Sequence, residues 1–311
     1  MKENIMKKNN AGRIFLAKRS DETVTAYLFV LPAIICWILW FLIPFMRSIY
    51  ISFFKYSYVT PDKNRFIGFS NYIHLFQDPK FYIALKNTLL FGAIVVPTIT
   101  IVSLLLALLL NKSFKGRGAF RTIYYLPYVI APITVATVFM YLFVKDGVMA
   151  KFFGIIGISN TTWYANIKMA MPFIGIMFIW QMVGFYMVYY LSGFQTIPST
   201  VYESAEIDGA NGFQKFRFIT VPMLRPTTFL VITYATIQSF QLFDQIAAVS
   251  NASGGLGSPA GATSTLLTYF YQNSFRYYKM GYGSAIAVIL FLLILLVTFI
   301  QRKFTDADGA Y

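Results

Sequence analysis

An all-α, polytopic membrane protein with about six transmembrane helices is the fold class this chain predicts. Three observations predict it. Apolar runs of about 20 residues recur along the chain, each long enough to cross a bilayer as a helix. Hydrophobic residues make up 57% of the 311 positions and charged residues only 12%, about half the charged share of a soluble domain. Between the fourth and fifth apolar runs stands a polar island, Val201-Tyr202-Glu203-Ser204-Ala205-Glu206-Ile207-Asp208-Gly209-Ala210, continuing to Pro222.

The spans follow in order from hydropathy. The first covers 27–45, with Pro32 and Pro44 near its ends. The second covers 87–110 and contains Pro97, where a kink is expected. The third covers 124–144, with Pro127 and Pro132 in its first half, and the fourth 169–191. The fifth covers 227–249 and the sixth 282–300. Neighbouring helices satisfy the backbone groups that proline frees, so none of these residues ends a span by itself.

Basic residues set the orientation. The first 24 residues form a basic tail (Lys2, Lys7, Lys8, Arg13, Lys18, Arg19). The loop from Asn111 to Arg121 carries Lys112, Lys115, Arg117 and Arg121 without an acid. Both belong in the cytoplasm by the positive-inside rule. An even number of spans then returns the tail 304–311 to the same side, with the polar island. The basic tail 1–24, the membrane-spanning region 25–303 with its loop 196–222, and the tail 304–311 are the expected parts. The first span acts as its own insertion signal. Outer segments also carry bases (Lys55, Lys63, Arg65, Lys80).

The net charge of +14 is read as topology signal and anionic-lipid contact, not as a nucleic-acid face. Cys36 is the only cysteine and His74 the only histidine. That pair cannot build a zinc site of the His- or Cys-rich kind. Cys36 is expected to be a small packing residue.

Within the island, Thr200 and Glu203 have capping-box spacing. Gly209 and Gly212 break the helical run and can take left-handed backbone. Asn211 with Gln214 offers a second helix start. Phe213, Phe216 and Ile219 recur at helical spacing opposite Lys215 and Arg217, and Pro222 leads into the next span. Two short helices at the membrane surface are expected, a handle for another protein.

The stretch resembles the EAA loop of ABC-importer permeases. Glu203, Ala205, Gly209, Ile219 and Pro222 fall in register with that pattern, while Ser204 replaces an alanine and Val221 a leucine. Asp208-Gly209-Ala210, Asn71-Tyr72, Asp78-Pro79, Asn87-Thr88, Leu126-Pro127 and Phe243-Asp244 are similar to segments of the carbohydrate-uptake branch, which includes maltose and glycerol-3-phosphate permeases. The resemblance implies a type I ABC importer permease fold in a bacterial plasma membrane. It implies a coupling loop (Glu203, Ser204, Ala205, Asp208, Gly209, Phe213, Ile219, Pro222) that docks on a cytoplasmic ABC ATPase dimer. It also implies a second homologous permease, an extracytoplasmic solute-binding protein, a sugar substrate, and alternating access driven by ATP. No cofactor is expected in this chain, since ATP and Mg would be held by the ATPase.

Span five carries Tyr234, Gln238, Gln241 and Gln245 at intervals of four, three and four, with Ser239 beside them. Such a face should look into the bundle rather than toward lipid. Gln181 and Phe185 align on span four. Two readings stand: a path for a neutral sugar, which needs aromatic faces and amides, or a polar seam that packs helices. The spans lack paired carboxylates, and the chain has no phosphate loop of the G-x-x-x-x-G-K-[ST] kind. A membrane enzyme is therefore disfavoured, as is an ion-driven carrier, which would want more ionisable groups in the membrane. The particular sugar is not legible.

Overall fold

The computed structural model describes residues 25–158 and 160–306. Among them, four helices are long and apolar enough to cross a membrane, and two bent helix pairs bring the number to six. The chain divides into two compact units, 1–51 and 52–311. The expected tail 1–24 lies outside the described residues, as do 307–311.

The described residues of the first unit form helix α1 (Thr25–Ser52) up to Ile51. Its register loosens into a π-helical turn at Ile38–Leu42. Phe29, Trp40 and Phe41 are exposed, and Cys36 is exposed rather than packed. An all-round apolar helix is what a lipid solvent selects.

The second unit opens with a two-residue antiparallel ladder, β1 (Phe54–Lys55) with β2 (Arg65–Phe66). Helix α2 (Ser70–Gln77) follows, then the long α3 (Pro79–Asn111). Asp78 caps α3 by accepting from the Lys80 amide at 2.9 Å, and Pro79 at the first turn loses no helical bond. The assigned helix continues through Pro97, where the sequence predicts a kink.

The third span is sharply divided. Helix α4 (Arg117–Val129) and helix α5 (Pro132–Leu142) meet at 99°. The reason is local. Ile130 and Ala131 are extended, ψ 135° at both, because proline disfavours helical backbone in the residue before it. Helix α6 (Val148–Ile155) leads to α7 (Ala170–Gln195), the central helix. Two short helices form the island: α8 (Ser199–Ile207) and α9 (Gly212–Met223). Helix α10 (Arg225–Phe240) leaves α9 at 65°. The expected continuous fifth span is interrupted at Gln241–Phe243 before α11 (Asp244–Ser253) resumes. Helix α12 (Leu266–Tyr271), a π-helical turn at Gln272–Arg276 and α13 (Met280–Asp306) complete the described residues. Helix α13 runs into the expected tail at 304.

Helix α7 packs most extensively against α3 and α4. The core gathers Phe91, Val95 and Ile99 from α3 with Phe173, Met177 and Phe178 from α7. Apolar burial drives little helix association inside a lipid solvent, so close fit must hold these helices. Gly184 is one such fit: a Cβ there would collide with the Tyr124 carbonyl of α4. A second cluster joins Leu75, Phe81, Phe240, Leu266, Tyr269 and Ile286 around α13.

Candidate coupling surface and translocation face

The island folds into a corner closed by hydrogen bonds between its two helices' ends. Helix α8 ends at Asp208, and Gly209 takes φ +76°. The Ala210 amide donates to the Ala205 carbonyl at 2.9 Å and the Gly209 amide to the Glu206 carbonyl at 3.1 Å. That pair of bonds is the Schellman arrangement, which needs a residue free to be left-handed at Gly209. Asn211 at once caps α9: it accepts from the Gln214 amide at 2.9 Å, and the Gln214 side chain accepts from the Asn211 amide at 2.7 Å. The expected second helix start is therefore present. The expected Thr200–Glu203 box is not formed. Helix α8 begins at Ser199 behind Pro198, which places Thr200 inside the first turn, and no side chain caps it.

Two contacts brace the corner. The Tyr202 and Thr220 hydroxyls lie 2.9 Å apart, and the Lys215 ammonium donates to Glu206 at 2.7 Å. That hydrogen bond holds the Glu206 carboxyl below its ordinary range. Glu203, Ser204 and Asp208 remain exposed, and Ala205 is half-buried. Ile207 is 87% exposed, Phe213 72% and Phe218 70%. These large apolar groups form an exposed patch on an otherwise polar corner. Phe216 and Ile219, expected on that stripe, are half-buried instead. A π-helical turn at Phe216–Thr220 inserts an extra residue and turns Phe218 outward. Pro222 sits in the last turn of α9.

The fifth-span face is divided by the break at 241–243. Tyr234 and Gln241 are exposed and Gln238 is half-buried, all on α10 or its C-cap. Gln245 lies beyond the break and is buried. Its Nε2 donates to the Gln181 Oε1 at 3.1 Å, and the Gln181 Nε2 donates to the Ile130 carbonyl at 3.0 Å. Ser239 is also buried and donates to the Thr236 carbonyl. These three side chains spend their polar atoms inside the bundle. Gln181 gives the α4–α5 break a partner for one carbonyl that the helix leaves unmet.

Phe185 and Tyr234 come together at 5.6 Å between ring centroids. Around them the fold adds rings not singled out from sequence. Tyr128 stacks on Phe185 at 4.3 Å and 21°, and Tyr189 lies 5.1 Å from Phe185. Tyr186 lies beneath, 6.2 Å from Tyr234, and its buried hydroxyl has no hydrogen-bond partner. The spacing of Phe185 and Tyr189 by four was visible on α7. Tyr128 was not, because its approach depends on the 99° break.

Comparison with known proteins decides what this arrangement belongs to. Residues 99–306 match the family described as "Binding-protein-dependent transport system inner membrane component". The chain belongs to this family. The permease is 33% identical over 296 residues to the arabinooligosaccharides transport system permease protein AraP of Bacillus subtilis, covering 92% of this chain and 90% of that one. It is 33% identical over 282 residues to the lactose transport system permease protein LacF of Rhizobium radiobacter, covering 89% and 93%. Among solved structures it is similar to a bacterial ABC transporter involved in the import of the acidic polysaccharide alginate, with a TM-score of 0.79 at 24% identity, covering 95% and 99%. A second alginate transporter structure, in complex with an alginate pentasaccharide-bound periplasmic protein, gives a TM-score of 0.77 at 25% identity, covering 94% and 97%. The fold class and the resemblance to carbohydrate-uptake permeases therefore hold, and the permease is a multi-pass membrane protein.

Proposed function

We propose that the permease is one membrane-spanning subunit of an ATP-driven importer that takes up a sugar or oligosaccharide handed over by an extracytoplasmic binding protein. It performs no catalysis. A cytoplasmic ABC ATPase dimer grips the α8–α9 corner, and a second homologous permease completes the path. Both termini lie in the cytoplasm of a bacterial cell. The curated relatives named for arabinooligosaccharides and lactose support a carbohydrate substrate.

The observation that carries this reading is the corner itself. It is braced by the turn at Gly209, the Asn211–Gln214 box, the Tyr202–Thr220 contact and the Lys215–Glu206 pair, so it moves as one piece. It nevertheless presents Ile207, Phe213 and Phe218 to the outside beside Glu203 and Asp208. A rigid, amphipathic knob between α7 and α10 transmits a push from a docked ATPase to both helices, which is the mechanical requirement of alternating access. Glu203 and Asp208 offer charge to a basic residue of that partner.

The translocation face is Tyr128, Phe185, Tyr189 and Tyr234 with the amides of Gln238 and Gln241. Aromatic faces stack on the apolar faces of a pyranose, and amides exchange hydrogen bonds with its hydroxyls. The buried Gln181, Ser239 and Gln245 stand behind this face and hold its helices in place. The test of docking starts by removing the single native cysteine. With Cys36→Ser as background, a cysteine in place of Ser204 should cross-link to a P-loop ATPase in membranes, in a manner that changes with ATP. A cross-link only to lipid-side reagents, indifferent to ATP, overturns the docking assignment.

A further inference from the structure

A cluster of unmet charge lies where α3 hands over to α4. The connecting loop and the first turns of α4 carry Lys112, Lys115, Arg117 and Arg121. Both lysines are exposed, whereas Arg117 and Arg121 are half-buried. The Nε of Arg117 and the Nε and Nη2 of Arg121 are shut off from solvent and have no hydrogen-bond partner among the described residues. Neither arginine forms an ion pair there. The helices that pack together at this point offer no acid, since α3, α4 and α7 contain neither Asp nor Glu.

Arg117 and Arg121 stand four residues apart, so two like charges share one face of α4 and repel. A buried donor left without an acceptor is costly, and more so when it is charged. Two guanidiniums in this state call for a shared anion, and the oxygens of a phosphate suit their planar forks.

The same face leads to an apolar groove. Tyr124, three residues beyond Arg121, lines a cavity of about 560 Å³ with Val102 and Leu106 of α3, Pro127 of α4, and Trp180 and Val183 of α7. Every lining residue is aliphatic or aromatic. The groove is open at its side, where Tyr124 and Trp180 are exposed. Val102 and Leu106 lie about 7–14 Å along α3 from its end at Asn111, within one leaflet of a hydrocarbon core about 30 Å thick. Above them, Phe114 and Phe120 are exposed with ring centroids 5.9 Å apart, as aromatics at a membrane–water interface are. The guanidiniums therefore stand at headgroup level and the groove at acyl level.

We propose that this is a binding site for an anionic phospholipid, with its phosphate between Arg117 and Arg121 and one acyl chain in the groove against Trp180. The arginines select the charge. The groove selects a lipid over a free phosphate or a carboxylate of another protein. A lipid seated there ties α3, α4 and α7 together at the root of the broken third span. The inference needs only a multi-pass membrane protein and stands apart from the importer reading.

The test uses the full-chain permease, with the proteins that accompany it, in phosphatidylcholine nanodiscs. A rising share of the lipid is replaced by phosphatidylglycerol or phosphatidylcholine with brominated acyl chains, which quench tryptophan on contact. Trp37→Phe with Trp40→Phe removes the exposed tryptophans of α1, and Trp163 is buried, so quenching reports on Trp180. Brominated phosphatidylglycerol is expected to quench at a mole fraction about tenfold lower than brominated phosphatidylcholine. Arg117→Gln with Arg121→Gln should abolish that preference. Val102→Phe, which narrows the groove and leaves both arginines, should weaken it, and an unchanged melting temperature verifies that each variant is folded. Equal quenching by the two lipids in the wild type, or an unchanged preference in either variant, overturns the proposal. A preference abolished by inorganic phosphate equimolar with the phosphatidylglycerol overturns it in favour of a free-anion site. A Trp180 that neither lipid reaches overturns it in favour of a protein covering the groove.

Discussion

Gly209 is the residue on which the coupling corner turns. Its φ of +76° leaves open space where a side chain would project, so the obstacle to substitution is the backbone and not crowding. A β-branched residue there costs about 1–3 kcal/mol of local strain. Gly209→Val is expected to reduce uptake at least about tenfold with normal membrane insertion. Gly209→Asn, which tolerates left-handed backbone, should retain most of it. Uptake of labelled sugar, normalised to permease in the membrane, checks both. Gln181 makes a different kind of point. Gln181→Leu leaves the Ile130 carbonyl and the Gln245 amide without partners in the core, at about 1–3 kcal/mol each. The melting temperature of the detergent-solubilised complex should fall clearly, whereas Gln241→Ala, at an exposed position, should leave melting unchanged and alter uptake or sugar preference. Wild-type kinetics in Gln241→Ala, Gln238→Ala and Tyr234→Ala would favour a packing seam over a path.

Elements were legible to differing degrees, and the reasons are physical. The straight spans are plain because hydropathy over a long window depends on nothing but the residues themselves. The second helix start at Asn211 was legible because its capping partners lie three residues apart. The Thr200–Glu203 box had the same spacing and did not form, since the helix is capped at Pro198, two residues earlier. The 99° break follows from Pro132, yet its angle depends on where Gln181 of α7 meets the freed backbone. Similarly, spacing placed Gln245 on one face with Gln238 only under a continuous helix, and the interruption at Gln241–Phe243 removed it. Asp78 ties three elements, α3, α12 and α13. Burial raises its carboxyl, but the Tyr269 hydroxyl, the Lys80 amide and the Tyr282 hydroxyl together hold it below the ordinary 3.8. Tyr269 is pushed up to about 12 by burial and by this neighbour. A depressed carboxyl stabilises the fold above its unfolded value, and the stabilisation is lost as pH falls through the folded value. The melting difference between wild type and Asp78→Asn should therefore be constant from about pH 5 to 8 and shrink below about pH 4.

For the whole permease, residues 52–311 carry both the α8–α9 corner with its exposed rings and the aromatic and amide face. Two broken helices border that face. Breaks stabilised by side-chain bonds allow discrete rearrangement without unfolding, which the proposed alternating access would require. What composition could not convey was which polar residues face the path and which are spent inside, because both kinds read alike along a helix. The assignment of an ATP-driven importer subunit stands or falls on its partners. The decisive measurement is purification of the full chain from mild detergent, identification of what accompanies it by mass spectrometry, and uptake by the reconstituted material with and without ATP. A second six-span permease and a P-loop ATPase, with uptake that requires ATP, is the expected result. A chain that purifies alone, or only with itself, and transports without ATP would contradict it.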